Sequence, residues 1–479
     1  MKLRRAILAV CLAIGSCVIA NAGQVKWNVI DDQPNWVSDT SDNHEWNTVE
    51  AADSTYVYVI HGSAGYDTTH NLVRCKRYNQ LGSNTATVSF NPPNGHEWRF
   101  ISASVATNGD VYAAAIDLHT TPIVHLVVFH MTAGSYTTVD PTQTADVNAV
   151  PVTYAFANSD GSTSAYFAWN DPQDANGLLT GQIVRMDASG NVAYGTTPTG
   201  FSVGSVCADD ASVPKGYVFG AIGSYHVGPP PYTTSDGFES QKYTLSSGSL
   251  VLTQGSPVKV GLEGGSGSSF CSCFDSATQS FFVAYSEPFR QTTNPTNDPL
   301  IRNMVFRKVS TSLSVTAYKA INWWDGIHEG SANQQPAGIG AIRVSSIAHI
   351  FWGGPWINNA TDVNSNAWPD PTTMFKEPLT TTSSSAGSSF TSFNDKDIKG
   401  LVASSQLGAV CTASDSTLRA ISAYNGASVQ TSDGTHYYPP SGTTANVFTQ
   451  MVHGNGYVYT LSKALDGSSN IHSYITCYH

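Results

Sequence analysis

Hydrophobic and polar residues alternate in short runs along most of this chain, and turn residues separate the runs. The stretch 101–140 is the clearest example, with four alternating runs in succession. Asn108-Gly109 divides the first two runs and Ala133-Gly134 the last two, and Asn-Gly favours a two-residue hairpin turn because both residues tolerate positive φ. Alternation with a period of two indicates half-buried β-strands. No segment after residue 22 has a sustained helical period, so the pattern predicts an all-β protein.

The second run of this four-run unit recurs along the chain. Each copy begins with aromatic or β-branched residues just after a turn. The copies are YVYVIHG (56–62), VYAAAID (111–117), YFAWND (166–171), YVFGAIG (217–223), FFVAYSE (281–287), HIFWGG (349–354), AVCTAS (409–414) and YVYTLSK (457–463). They recur roughly every 50 to 70 residues, which indicates a repeat architecture.

A run of small and apolar residues precedes each copy, and a third and fourth run follow most copies, least clearly in the sixth and seventh units. This order resembles the blades of the β-propeller superfamily, although no family-specific motif accompanies it. The resemblance implies a single propeller over 23–479 with about eight four-stranded antiparallel blades, seven being the alternative count. The run QVKWNVI (24–30) would close the ring by pairing the N-terminal strand with the C-terminal one. One or two β-sandwiches are the alternative fold.

The first residues have the features of a secretory signal. Three basic residues precede the apolar run 6–20, and Ala20-Asn21-Ala22 fits a cleavage site. We therefore predict a signal peptide over 1–22 and a secreted, extracellular or periplasmic protein. The apolar run is too short for a comfortable membrane span, and no transmembrane segment is expected. Because Ile14-Gly15-Ser16-Cys17 resembles a bacterial lipobox, a lipid anchor on Cys17 is the alternative.

Charge excludes one class of partner. Charged residues make up 12% of the chain, with a formal net charge of −12, whereas nucleic-acid binding needs clustered Lys and Arg. We expect no nucleic-acid partner. A surface of Ser, Thr, Asn and Gly suits an extracellular protein or close packing between copies, so self-association is a further expectation.

Six cysteines follow the predicted signal. They are Cys75, Cys207, Cys271, Cys273, Cys411 and Cys477. An even number of cysteines in an exported chain favours disulfide bonds. A thiolate metal site is the alternative, but the chain lacks the CxxC spacing typical of such sites.

A propeller places its connections on two faces. The connections from strand two to three, and from strand four to the next blade, share one face, which we call the wide-loop face. The turns from strand one to two share the opposite, tight-turn face. The first set is long and rich in aromatic, histidine and acidic residues, and long loops on a rigid scaffold are where binding usually occurs.

His-Glu pairs recur before predicted first strands. His-Glu-Trp occurs at 44–46 and again at 96–98, and a further His-Glu follows Trp323-Trp324-Asp325. Because His and Glu suit proton transfer or metal binding, the candidate catalytic residues are His96, Glu97, Asp325, His328 and Glu329. The alternative is inherited packing, with Trp98 wedged between blades and His-Glu tying a loop backbone. Repetition favours this alternative, because catalysis rarely needs one group in several blades.

Aromatic residues are concentrated in the same connections. Exposed Trp and Tyr can stack on sugar rings or grip a partner protein. The candidate ligand-binding residues are Trp98, Trp323, Trp324, Trp356, Trp368 and Tyr437. The alternative is that they form small cores within long loops.

The loop 170–177 collects oxygen-bearing side chains beside a glycine. Its candidate metal ligands are Asp171, Asp174 and Asn176, and calcium prefers several oxygen ligands. The spacing does not fit an EF-hand, and Asx turns account for such residues without a metal. We therefore predict no cofactor, with calcium as the alternative.

Three functions are consistent with these features. The first is a secreted or cell-surface binding and assembly protein that recognises an extracellular glycan or protein. The second is an extracellular polysaccharide-degrading enzyme, either a hydrolase or a lyase. The third is a self-assembling surface or filament subunit. Repetition of His-Glu-Trp favours a binding function. The segment 323–329 occurs once, which leaves an enzymatic function as the alternative.

Overall fold

The computed structural model describes the part of the chain that carries the sheets. For 338–454 the description is of the backbone. The described residues are 25–31, 48–63, 71–118, 121–140, 150–171, 179–222, 238–245, 251–256, 258–259, 270–289, 301–320, 338–344, 347–355, 372–378, 390–393, 398–404, 408–413, 418–421, 435–437, 446–454, 457–465 and 471–478.

The first four blades are antiparallel sheets with strands in chain order. Their strands are β2 (Thr48–Ala52), β3 (Tyr56–His61), β4 (Val73–Asn79) and β5 (Asn84–Phe90) in blade 1; β6 (Trp98–Val105), β7 (Asp110–Asp117), β8 (Ile123–His130) and β9 (Ser135–Val139) in blade 2; β10 (Val152–Ala157), β11 (Thr163–Asn170), β12 (Gly181–Asp187) and β13 (Val192–Thr196) in blade 3; and β14 (Phe201–Ala208), β15 (Gly216–Ile222), β16 (Phe238–Leu245) and β17 (Leu252–Gln254) in blade 4, where β18 (Val258–Lys259) also pairs with β16.

The remaining four blades repeat this order. Their strands are β19 (Cys271–Asp275), β20 (Ser280–Phe289), β21 (Ile301–Ser310) and β22 (Val315–Ala320) in blade 5; β23 (Gly338–Val344), β24 (Ile347–Pro355), β25 (Thr372–Pro378) and β26 (Phe390–Phe393) in blade 6; β27 (Ile398–Ser404), β28 (Gly408–Ala413), β29 (Leu418–Ile421) and β30 (Thr435–Tyr437) in blade 7; and β31 (Asn446–Gly454), β32 (Tyr457–Leu465), β33 (Ile471–Tyr478) and β1 (Val25–Ile30) in blade 8.

The first strands of the blades form a closed ring. Each contacts the first strand of the next blade, from β2 and β6 around to β31 and β2. The described sheets therefore make an eight-bladed β-propeller. This confirms the predicted fold, decides the count for eight blades over seven, and excludes a β-sandwich.

The N-terminal strand closes the ring as predicted. β1 pairs with β33 from Trp27 opposite Cys477 to Ile30 opposite Tyr474. The Trp27 indole N–H donates to Gln80 O of blade 1 at 3.0 Å. The closing strand is therefore held by backbone pairing within blade 8 and by a side-chain contact to its neighbour.

The aromatic second runs form the second strand of every blade, and in blades 1 to 5 and 8 their side chains pack between blades. Tyr58, Tyr112, Tyr166 and Tyr217 are fully buried, and burial of such side chains contributes roughly 2 kcal/mol each. Three of their hydroxyls reach the next blade. The Tyr112 hydroxyl lies 3.0 Å from Thr163 Oγ1, Tyr166 donates to Pro214 O, and the Tyr217 hydroxyl lies 3.0 Å from Thr311 O. The residues repeated in the sequence therefore form the packing interface between neighbouring blades.

The innermost strands are close to one another, which explains their small residues. Ser102 Oγ and Thr153 Oγ1 of blades 2 and 3 are 2.6 Å apart, and Ala155 N donates to Ser104 Oγ at 3.0 Å. At Gly204 a Cβ atom would lie 2.1 Å from the Phe270 ring, a distance that real contacts do not allow. Small side chains let neighbouring first strands approach and exchange hydrogen bonds.

The predicted disulfide bonds are not formed among the described cysteines. No disulfide bond joins any two of Cys75, Cys207, Cys271, Cys273 and Cys477, so the expectation is not met among these five. Cys75 lies between blades 1 and 2, and Cys477 between blades 8 and 1. Cys207 lies beside the strand that carries Cys271 and Cys273, with its Sγ 2.9 Å from Ser272 Oγ. Burial raises the pKa of the Cys207, Cys271 and Cys477 thiols to about 12, which makes thiolate chemistry unfavourable.

Candidate functional site

Four polar side chains of blade 2 meet at the wide-loop face. His96 precedes β6, Asp117 ends β7, His125 lies near the start of β8 and Asp140 follows β9. Antiparallel pairing sets Trp98 opposite Asp117 and Asp117 opposite Ile123. The register therefore collects residues that are far apart in sequence. We call His96, Asp117, His125 and Asp140 the His–Asp chain.

The His–Asp chain is a continuous series of hydrogen bonds. His96 Nδ1 is 2.5 Å from Asp117 Oδ2, and His125 Nε2 is 3.1 Å from the same oxygen. His125 Nδ1 bonds Asp140 Oδ1. The exposed fractions of the side chains are 27% for His96, 1% for Asp117, 6% for His125 and 63% for Asp140. The chain thus has a buried centre and two ends that reach solvent.

Trp98 lies beneath the His–Asp chain. Its ring stacks on His125 with centroids 3.9 Å apart and meets Phe90 of blade 1 edge-on at 5.5 Å. Trp98 is only 4% exposed and belongs to the core shared by blades 1 and 2. It therefore has little surface for a ligand, and the packing alternative accounts for its position.

The backbone around His96 is tied to blade 1 by Ser63. Ser63 Oγ donates to His96 O at 3.0 Å, Ser63 N donates to Trp98 O at 3.1 Å, and Trp98 N donates back to Ser63 Oγ at 3.1 Å. Glu97 Oε1 is 3.7 Å from a guanidinium nitrogen of Arg99. These contacts fix the direction in which His96 leaves the sheet.

A second ionic cluster lies where the ring closes. Asp31 follows β1, and its Oδ1 is 2.8 Å from Arg74 and 2.5 Å from Lys76 of blade 1. Asp31 Oδ2 is 3.4 Å from His61 Nε2. Burial alone would raise the pKa of Asp31, but the contacts with His61, Arg74 and Lys76 outweigh it and hold the pKa well below its ordinary value. This cluster joins the N-terminal strand to blade 1.

The predicted metal ligands are only partly within the described residues. Asp171 Oδ2 accepts a 2.5 Å hydrogen bond from Gln182, and burial raises the Asp171 pKa while this bond lowers it. Asp174 and Asn176 lie outside the described residues. Within the described part of the chain, no group of three His, Cys, Asp or Glu residues is arranged to hold a metal ion.

Most other sequence candidates also lie outside what the structure describes. These are Trp323, Trp324, Asp325, His328, Glu329, Trp356, Trp368 and the first His-Glu-Trp at 44–46. Tyr437 ends β30, for which the backbone is described. Among the described residues, no helix is long and apolar enough to cross a membrane.

The His–Asp chain is arranged for acid–base chemistry. Asp117 accepts from His96 Nδ1, and such a carboxylate fixes the ring orientation and stabilises an imidazolium. Sequence reasoning found His96 but missed Asp117, His125 and Asp140. The available signal was a polar residue at the wide-loop end of each run, in VYAAAID, IVHLVVFH and SYTTVD.

Comparison with known proteins adds a structural likeness. No family model matches the chain, and no curated protein matches it. The chain is similar in structure to Chaetomium thermophilum Sqt1, with a TM-score of 0.38 and 7% identity over 90% of this chain and 87% of that chain. A protein of unknown function from Dyadobacter fermentans has a TM-score of 0.33 and 8% identity, with coverage of 95% and 98%.

A Trypanosoma rangeli sialidase has a TM-score of 0.34 and 9% identity, covering 94% of this chain and 57% of that chain. Likenesses of this strength carry no argument about function.

Proposed function

We propose that this protein is an exported β-propeller that binds an extracellular glycan or protein through its wide-loop face. The supporting observation is the unequal length of the connections on the two faces. Most connections of the tight-turn face are short, such as 53–55 and 106–109, with 379–389 and 422–434 as exceptions. The wide-loop face carries connections such as 290–300, 321–337 and 356–371. A rigid ring with most of its long connections on one side is typical of a binding scaffold.

The composition of these connections supports the same proposal. Trp323, Trp324, Trp356 and Trp368 lie in connections that leave the sheets on the wide-loop side. Trp combines a flat apolar face with a polar N–H, which suits stacking on sugar rings and protein interfaces. Because charged residues make up only 12% of the chain, we expect ligand recognition to depend on aromatic stacking and neutral hydrogen bonds.

A binding screen with matched variants tests the proposal. The mature protein, attached through a C-terminal tag, is applied to a glycan array and in parallel cross-linked to extracellular proteins of its source. Trp323→Ala with Trp324→Ala should weaken binding at least tenfold, since one well-placed aromatic contact is worth about 1.4 kcal/mol or more. Leu81→Ala with Val213→Ala is the control, because both side chains are exposed on the tight-turn face.

The control variant should bind as the wild type does. Binding that is lost in the control and kept in the tryptophan variant would contradict the proposal. Absence of any bound glycan or protein would also contradict it.

An extracellular polysaccharide-degrading enzyme is the second candidate function. The observation in its favour is His96, held by the buried carboxylate of Asp117 on the wide-loop face. A histidine held in this way can serve as a general base or acid, worth about 100-fold to 10,000-fold in rate. The test measures polysaccharide cleavage by the wild type, by His96→Gln and by His328→Ala with Glu329→Ala. Cleavage that collapses in a folded variant would replace the binding proposal.

A further inference from the structure

Asn-Gly pairs can deamidate without an enzyme. The glycine amide nitrogen attacks the side-chain carbonyl carbon of the asparagine, because glycine has no side chain to hinder the approach. A cyclic succinimide forms, and the proton of the glycine amide leaves with the side-chain nitrogen as ammonia. Water then opens the ring to aspartate, or to isoaspartate, in which the backbone runs through the former side chain.

Five Asn-Gly pairs occur in the chain, and the structure describes the side chains of Asn94 and Asn108 among them. Both asparagines are exposed, and each precedes a glycine with positive φ, 83° at Gly95 and 84° at Gly109. Burial and glycine conformation are therefore alike at the two sites. Their hydrogen bonds are not.

The side chain of Asn108 is held at both of its polar atoms. Its Oδ1 accepts from Asp110 N at 2.9 Å, and its Nδ2 donates to Asp110 Oδ2 at 2.8 Å and to Thr163 Oγ1 at 3.4 Å. The Gly109 N–H, which would have to lose its proton, donates to Ala106 O at 2.9 Å. Attack on the side-chain carbonyl would break several of these bonds, so the fold protects Asn108.

The side chain of Asn94 is held much less firmly. Among the described residues it makes one hydrogen bond, in which its Oδ1 accepts from Asn71 Nδ2 at 3.3 Å. The same Asn71 nitrogen donates to Pro92 O at 2.5 Å, so the bond to Asn94 is the weaker of the two. The Asn94 side chain can therefore turn toward the Gly95 nitrogen at little cost.

We infer that Asn94 is a site of spontaneous deamidation, and that its conversion opens the turn that leads into His96. Pro93, Asn94, Gly95 and His96 form a β-turn in which His96 N donates to Pro93 O at 3.2 Å. Isoaspartate adds a carbon to the backbone between the two ends of this hydrogen bond, so the turn no longer closes. Either product also adds a negative charge two residues before His96.

The modification bears on the His–Asp chain through the backbone of His96. The contacts of Ser63 hold the backbone on the far side of His96, with Ser63 Oγ donating to His96 O at 3.0 Å, whereas the turn holds the near side. His96 Nδ1 is 2.5 Å from Asp117 Oδ2. An opened turn gives the His96 ring a wider range of positions, which weakens this contact. The hairpin at Asn108 on the tight-turn face stays unmodified.

Peptide mapping of the protein during incubation at mildly alkaline pH tests the site. Mass spectrometry follows the exchange of amide for acid at both asparagines, in the folded protein and in urea. Folded, Asn94 should convert about tenfold faster than Asn108 or more, a ratio that corresponds to about 1.4 kcal/mol and fits the loss of a few hydrogen bonds. In urea the two rates should be nearly equal, because each asparagine precedes a glycine.

Two results would overturn the assignment. The first is an Asn94 that stays intact or reacts no faster than Asn108 in the folded protein. The second is a rate ratio in urea as large as in the folded protein, since the local sequence would then account for the difference.

Asn94→Gln is the matched control for the opened turn, because glutamine forms its cyclic imide far more slowly. Hydrogen–deuterium exchange of the His96 amide should become faster after incubation of the wild type and should not change in Asn94→Gln. Unchanged exchange at His96 in the modified wild type would contradict the opening of the turn. Neither measurement needs a ligand, so failure here leaves the proposed binding function separately testable.

Discussion

The two faces of the ring use polar side chains in different ways. On the tight-turn face, Asp53 accepts hydrogen bonds from Thr55 N at 2.6 Å, Tyr56 N at 2.7 Å and the Tyr58 hydroxyl at 2.7 Å. On the wide-loop face of blade 2, the acids bond histidines in the His–Asp chain. The first arrangement closes a turn, whereas the second links ionisable groups.

Recurrence separates the two arrangements further. Blade 4 repeats the turn of blade 1, with Asp209 accepting from Lys215 N at 2.8 Å and from the Tyr217 hydroxyl at 3.0 Å. In the His–Asp chain, His96 belongs to a His-Glu-Trp that also occurs at 44–46, whereas its combination with Asp117, His125 and Asp140 is, among the described side chains, found in blade 2. A contact inherited from blade to blade serves the scaffold, so a cluster particular to one blade is the better candidate for function.

The largest expected loss of stability follows substitution of Asp31. This residue lies on the wide-loop side, but its contacts hold the ring closed. Asp31→Ala leaves the buried Arg74 and its neighbours without their carboxylate, and breaking a buried ion pair costs roughly 3–5 kcal/mol. Urea unfolding of the protein should show this loss, and Asp160→Asn at an exposed turn is the control. A variant as stable as the wild type would show that the closing seam does not depend on this cluster.

The next largest loss of stability is expected at Tyr217, one of the buried tyrosines of the second strands. Tyr217→Phe removes a hydroxyl that donates to Asp209 Oδ2 and lies within hydrogen-bond distance of Thr311 O, and a buried acceptor left unsatisfied costs about 1–3 kcal/mol. The same unfolding measurement should detect it, and Tyr136→Phe, at a partly exposed ring, should change little. Ligand binding should be unaffected. Lost binding without lost stability would mean that the tight-turn face takes part in recognition.

Two glycines of the tight-turn face separate backbone strain from steric contact. Gly82 and Gly134 have φ of 76° and 70°. A Cβ at Gly82 would lie 2.9 Å from the Trp27 ring, and none of the described atoms lies within 4 Å of one at Gly134. Gly134→Ala should therefore cost about 1 kcal/mol from φ alone, and Gly82→Ala more. Equal losses would mean that Trp27 is free to move aside.

The smallest expected effect is a change in pH dependence at the closing seam. Burial raises the pKa of Glu50 well above its ordinary value, and a hydrogen bond from Leu461 N at 3.1 Å offsets this only in part. The folded state thus holds the proton more tightly than the unfolded state. The stabilisation is complete below the ordinary value of 4.5 and is lost as pH rises through the folded pKa.

Glu50→Gln should accordingly make Tm depend less on pH above 4.5, the ordinary pKa of a glutamic acid. Thermal unfolding at several pH values measures it, with Glu97→Gln on the partly exposed wide-loop side as the control. An unchanged slope would contradict a raised Glu50 pKa.

The sequence predicted the parts of the fold that depend on local pattern. Alternating runs identified the second strand of all eight blades, and the run 24–30 identified β1, because each contains its own period and turn signals. β25 and β26 were not recognised, since TTMFKEP and FTSF lack the clear alternation of the other blades. No disulfide bond is formed among the five described cysteines, because an even cysteine count does not determine which blade interface buries each thiol.

The site was predictable only in part. His96 stood out because His-Glu-Trp repeats, but its partners lie as far away as Asp140 and meet it only through strand register. The acid at the end of VYAAAID has no local feature to distinguish it from a turn residue. Likewise, Asp31 meets Arg74 only because the ring closes.

Hydrogen–deuterium exchange of the protein, with and without a ligand identified on the array, tests the division between the two faces most directly. Exchange should slow in peptides from the wide-loop connections, such as 91–97, 119–122 and 321–337. It should stay unchanged in tight-turn peptides such as 53–56, 79–84 and 209–216. Protection confined to the tight-turn peptides would contradict the account.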